Sequence, residues 1–171
     1  MQGWINELKN RFPNVILEIQ EKDFPTLICK REGSFELMKY LKEEKGFKYL
    51  IDLCGVDYLG YKKKDFPERF EVVYHIYNMD SRETLRIKVR IPEEDCWQYS
   101  VFSIWKTSNW FERECYDMFG IRFKGHPDLR RVLMPDDWEG YPLRKDYPLY
   151  LEEEQEWKTY KKFLESVRRG K

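Results

Sequence analysis

Glu112, Glu114 and Asp117 stand close together in the chain and His126 follows shortly after, a grouping of the side-chain types that move protons. Carboxylates brought together shift one another's pKa, and a histidine beside them completes an acid/base set, with Glu114 and His126 as the pair a stand-alone enzyme would use. Helical spacing argues against that chemistry. Glu112 and Glu114 lie two apart and point to different faces, whereas Arg113 and Asp117 lie four apart and can pair. The cluster reads as ion pairs and caps, and no catalytic residue is assigned. Arg130, Arg131, Arg144 and Lys145 are interleaved with Trp138 and Tyr141, which suits a single nucleic-acid strand by charge and stacking. Asp128, Asp136, Asp137, Glu139 and Asp146 neutralise that patch, so no nucleic-acid partner is expected. No GxSxG, Walker A, GxGxxG or HExxH motif occurs, which leaves nucleophile, nucleotide and zinc-protease chemistries without support.

Metal chemistry finds little material either. Cys29, Cys54, Cys96 and Cys115 lie far apart, with no CxxC pair and only His75 and His126 beside them, so buried thiols and no bound metal are expected. Lysine and arginine number 31 against 31 aspartate and glutamate, so no global field selects an anionic or a cationic partner. No run of about 18 apolar residues and no apolar leader appears; the expected chain is soluble and intracellular, compatible with a peripheral place on a membrane complex.

The elements that would position these groups follow from periodicity. Trp4, Ile5, Leu8 and Phe12 recur at helical spacing before Pro13. VILEIQ and PTLICK flank a polar turn as a hairpin, and Gly33 and Ser34 open a second helix carrying Leu37, Met38 and Leu41. FKYLIDLCGVDYL, RFEVVYHIYNM and ETLRIKVRI are strand-like, with a charged loop YKKKDFPE after the first. The order predicts a two-layer α+β domain, α-β-β-α-β-β-β, with both helices on one sheet face. Trp97, Val101, Ile104 and Trp105 at helical spacing suggest a short or broken helix leading into one at 110–119, capped by Asn109 with Glu112 three residues on and ended by Gly120. Beyond it, Pro127, Pro135, Pro142 and Pro148 with Gly125 and Gly140 forbid regular structure, so the segment should run extended over a surface. Its Leu129, Val132, Leu133, Met134, Trp138 and Tyr141 hide little apolar area against themselves and call for cover. Residues 1–120 are read as the core domain and 121–171 as a partner-binding tail; in isolation, residues from roughly 122 to 150 should be poorly ordered or stabilised by crystal or self-contacts. Trp157, Tyr160, Phe163, Leu164 and Val167 mark a terminal helix, acids first and bases last.

The strings ERECYDMFGIRFKGHPDLRRVLMP and WEGYPLRKDYPL resemble the signature of the C subunit, the 30 kDa subunit family, of respiratory complex I, the type I NADH:quinone oxidoreductase. The resemblance runs without a gap from Asn109 to Leu149, and the α+β region agrees in length and strand pattern. Tyr141, where His is the commoner residue, is the one departure.

The resemblance implies a non-catalytic member of the peripheral arm, with no flavin, iron-sulfur cluster or nicotinamide of its own. FMN and the clusters that carry electrons from NADH to quinone would lie on partner subunits. It implies docking on the quinone-reacting D subunit, with the B and I subunits nearby, at the cytoplasmic face of the cell inner membrane as a peripheral component of a proton-translocating complex. Trp110, Glu112, Arg113, Glu114, Asp117, His126, Arg130, Arg131, Arg144, Lys145 and Asp146 carry over as interface and support residues. The same family serves membrane-bound hydrogenases and ferredoxin-linked complexes, the alternative setting.

Overall fold

The structure, a computed structural model, describes residues 2–21, 23–61, 68–148 and 165. The predicted terminal helix, apart from Glu165, and most of the charged loop after the third strand lie outside the described residues. Among the described residues, three helices, α1 (Gln2–Arg11), α2 (Ser34–Glu43) and α3 (Ser108–Phe119), accompany seven strands. These are β1 (Ile16–Glu21), β2 (Pro25–Cys29), β3 (Tyr49–Asp57), β4 (Phe70–Asn78), β5 (Glu83–Ile91), β6 (Trp97–Tyr99) and β7 (Arg122–Lys124).

The five long strands form one sheet in the order β1-β2-β5-β4-β3. β1 and β2 are the predicted hairpin, β3-β4-β5 is an antiparallel meander, and β2 joins β5 in parallel across the α2 crossover. Alternation decides the faces. Phe70, Val72, Tyr74 and Ile76 of β4 and Leu85, Ile87, Val89 and Ile91 of β5 share one buried cluster with Ile5 and Leu8 of α1 and Leu37, Met38 and Leu41 of α2. Both helices therefore lie on one face, as predicted, and α3 adds Cys115 to the same cluster. The opposite face carries charge: Lys88 pairs with Glu71 at 3.2 Å, and the Arg86 Nε–H donates to His75 Nε2 at 2.8 Å.

Residues 97–105 are not the helix their spacing suggested. Trp97 begins the short strand β6, which pairs in parallel with β7, and turns follow before α3. Val101, Ile104 and Trp105 still point inward and join the core, so their burial produced the apolar spacing without a helix. The α3 N-cap is Thr107, with no side-chain cap bond, and Asn109 lies inside the helix. Of the four thiols, Cys29 and Cys115 are buried, Cys96 is half-buried and Cys54 is exposed, contrary to the expectation of four buried ones. Cys54 belongs to an edge strand and alternates onto the face opposite α1 and α2.

Candidate functional site

The last turn of α3 leaves four carbonyls without intrahelical donors. Each is met from residues 120–144. Gly120, in the left-handed conformation at φ 74°, returns its N–H to the Tyr116 carbonyl at 2.9 Å. Arg131 donates to the Asp117 carbonyl at 3.2 Å, the Leu143 N–H to Met118 at 3.1 Å, and the Arg144 Nε–H to Phe119 at 2.6 Å. Two guanidinium groups thus sit where the helix dipole is negative. The proline-rich segment 121–148 is a strap laid across the end of α3.

Asp117 fixes the middle of the strap. Its side chain is fully buried, and Oδ2 accepts the N–H groups of Val132, Leu133 and Met134 at 3.0, 2.8 and 2.9 Å. Oδ1 accepts from Arg131 at 2.6 Å, and the other Arg131 nitrogen reaches the Trp138 and Gly140 carbonyls at 2.9 and 3.0 Å. Burial works to raise the Asp117 carboxyl, but the Met134 amide, Arg131 and the neighbouring amides outweigh it and leave it below its usual value. Arg113 does not pair with Asp117. It donates instead to the Arg130 and Arg131 carbonyls at 3.1 and 2.9 Å, while its guanidinium lies 4.9 Å from the Trp110 ring centre.

Glu112 is also fully buried, but no cation among the described residues pairs with it. Its carboxyl accepts the Ser100 hydroxyl at 2.6 Å and the Val101 N–H at 2.7 Å, tying α3 to the turn after β6. Burial pushes its pKa up to about 7, against those hydrogen bonds, which pull it down. It closes no capping box with Asn109. Glu114 is exposed on another face of α3, close enough to Cys54 and Cys115 to help burial raise both thiols. His126 accepts the Asp128 N–H at 3.0 Å through Nδ1 and lies 6.1 Å from the Phe102 ring, and burial lowers its pKa. No hydrogen bond joins Glu114 to His126, so the acid/base pair is not assembled. Arg130 is exposed, and its side chain pairs with its near neighbour Asp128 at 3.0 Å. Among the described residues, no three His, Cys, Asp or Glu side chains converge as a metal-binding group.

The far end of the strap is fixed by residues that sequence inspection did not single out. Asp57, at the end of β3, and Arg69, just before β4, pair bidentately along one guanidinium edge, Nε to Oδ1 at 3.1 Å and Nη2 to Oδ2 at 2.9 Å. The Lys145 N–H donates to Asp57 Oδ2 at 2.9 Å, and Arg69 Nη2 reaches Asp146 Oδ1 at 2.7 Å. Glu93 takes the remaining Arg69 nitrogen. Burial works to raise the Asp57 carboxyl, and the Arg69, Lys145 and Leu59 donors hold it below its usual value. The strap contacts span 77 and 88 residues of sequence, and no local pattern announces them.

The strap is therefore fastened within the chain at three places, although it and α3 leave large apolar side chains outward. Trp110 is 63% exposed, Leu133 62% and Leu143 53%. Close packing is part of the fastening. A β-carbon at Gly120 would stand 2.6 Å from the Tyr141 ring, and one at Gly140 would stand 2.7 Å from Tyr147.

The sequence profile described as "Respiratory-chain NADH dehydrogenase, 30 Kd subunit" matches residues 27–153. The C subunit of the NADH-quinone oxidoreductase of Geotalea uraniireducens is 49% identical over 144 residues, covering 84% of this chain and 85% of the relative. That of Moorella thermoacetica is 40% identical over 153 residues, 89% of this chain and 98% of the relative. Among solved structures, a trypsin-resistant fragment of Nqo5 superposes with a TM-score of 0.65 at 35% identity, covering 74% of this chain and 96% of that one. A chain of an archaeal membrane-bound sulfane sulfur reductase gives a TM-score of 0.69 at 20% identity, over 90% and 96%, a likeness of fold.

Proposed function

Because the chain belongs to the 30 kDa subunit family of respiratory-chain NADH dehydrogenase, that of the NADH-quinone oxidoreductase C subunit, we propose that it is a non-catalytic structural member of the peripheral arm. In this reading, α3 and the strap dock on the quinone-reacting D subunit, beside the B and I subunits. Electrons pass from NADH through FMN and iron-sulfur clusters on partner subunits to quinone, coupled to proton translocation, and this chain carries no cofactor. It is held at the cytoplasmic face of the cell inner membrane through the complex.

One observation carries this reading: Trp110, Leu133 and Leu143 stand exposed on a helix and strap whose backbone is already fixed. A preformed surface loses little conformational entropy on docking, and exposed aromatic and aliphatic side chains on a rigid frame are the anchors that interfaces between subunits bury. The polar members of the cluster serve as support behind that surface. Glu112, Arg113, Asp117, Arg131, Arg144 and Asp146 are engaged within the chain, leaving Glu114, Arg130 and Lys145 at the rim.

Affinity capture of the tagged full chain from native membranes tests the proposal. Recovery with cluster-bearing partners and NADH-dependent quinone reduction supports it; recovery as a lone protein turning over a small substrate overturns it. The second reading, the equivalent subunit of a membrane-bound hydrogenase or ferredoxin-linked complex, draws on the fold shared with the archaeal respiratory complex. Capture of a complex that reduces its acceptor from ferredoxin or hydrogen and not from NADH would select it.

A further inference from the structure

Asp57 and Arg69 form a bidentate pair with side-chain exposures of 0% and 7%, and bury at the rim of the sheet charge that its backbone ladder does not need. Withdrawing such a pair from water is costly, and the return is geometric specificity when the remaining lone pairs and N–H groups are met at fixed angles. Here they are met by the strap: Asp57 Oδ2 takes the Lys145 N–H and Arg69 Nη2 takes Asp146. The neighbouring residues are held to α3 instead, Leu143 through Met118 and Arg144 through Phe119, so residues 143–146 bridge the helix end and the sheet rim. Asp117 holds residues 132–134 in the same manner.

We propose that Asp57 and Arg69 are positioning residues for assembly: they clasp residues 143–147 into the shape that the neighbouring protein of the complex receives. The clasp sets orientation and makes no contact with the partner. This rests on the docking role proposed above. Asp146 is the strap's half of the clasp, half-exposed and accepting from Arg69, whereas Asp57 belongs to the sheet.

Amide exchange by NMR on the purified full chain, with recovery of the assembled complex from membranes, tests the clasp in Asp57→Asn and Asp146→Asn. A charge-assisted bond lost from the Lys145 amide should speed its exchange about tenfold in Asp57→Asn. The β4 and β5 amides should stay as protected as in the wild type, and assembly should fall in both variants. Unchanged exchange at 143–147 in both variants overturns the clasp; faster exchange with wild-type assembly overturns its positioning role. Should Asp57→Asn unfold the sheet, Asp146→Asn decides alone, since its carboxyl lies outside the sheet. A wild-type chain that fails to assemble, with exchange behaving as predicted, contradicts the docking role and leaves the clasp as a fold element only.

Discussion

Arg144 donates its Nε–H to the Phe119 carbonyl at 2.6 Å, closing the end of α3 with a side chain from 25 residues further on. With Arg131 on the Asp117 carbonyl of the same last turn, it makes the helix terminus the seat of the strap.

Asp117→Asn keeps the shape of the side chain but removes the charge that Arg131 and three amides share. Removing the charge from one member of a buried, hydrogen-bonded pair, and setting an NH2 where an acceptor stood, should lower stability by about 2 to 4 kcal/mol. Urea denaturation measures the loss, and a change below about 0.5 kcal/mol would show that Asp117 does not anchor the strap.

Gly120→Ala meets two obstacles, a left-handed backbone and the Tyr141 ring 2.6 Å from the new β-carbon. The backbone alone costs about 1 to 2 kcal/mol, and displaced Tyr141 and Arg144 side chains should expose the strap to trypsin at Arg144 and Lys145. Thermal melting and the proteolysis rate report the two effects separately.

Stability against pH should show two opposed windows. The Asp57, Asp117 and Asp146 carboxyls lie below their unfolded value, so the stability they contribute is full above about pH 4 and is lost as pH falls through their folded values. Glu112 is shifted the other way, to about 7. Between its unfolded value near about 4.3 and 7 the folded state keeps a proton that the unfolded chain has released, so stability declines as pH rises through that window. Glu112→Gln should flatten the decline, which denaturation midpoints from pH 4 to 8 would detect; an unaltered slope would assign it to another group.

Much of this arrangement was legible in residue order, and the exceptions have physical causes. The helices and long strands announced themselves because each buries a regular stripe, as Leu37, Met38 and Leu41 do on α2 and alternate residues do on β4. β6 and β7, three residues each, are too short to show a period, and buried Val101, Ile104 and Trp105 imitated a helix. Gly120 was readable as a stop because a left-handed cap needs it, whereas the Arg113 and Asp117 spacing misled: each found a better partner in the strap. The Asp57 and Arg69 clasp was invisible, since its contacts with the strap depend on the whole sheet being folded. Of the two outcomes expected for the isolated strap, disorder or self-contacts, residues 122–148 show self-contacts, three sets of bonds that fasten them within the chain.

Trp110→Ala removes an exposed ring from the outer side of α3. Isolated-chain stability should stay within about 0.5 kcal/mol of the wild type, while the amount of assembled complex recovered from membranes falls. Unchanged assembly would remove Trp110 from the docking surface.

Photo-crosslinking reads the docking contact itself. A photoreactive residue placed at Leu133, exposed on the strap, is activated in native membranes and its adduct identified by mass spectrometry. The account predicts a single major adduct with the quinone-reacting D subunit of an NADH-quinone oxidoreductase. No adduct, or adducts only with copies of this chain, would contradict it.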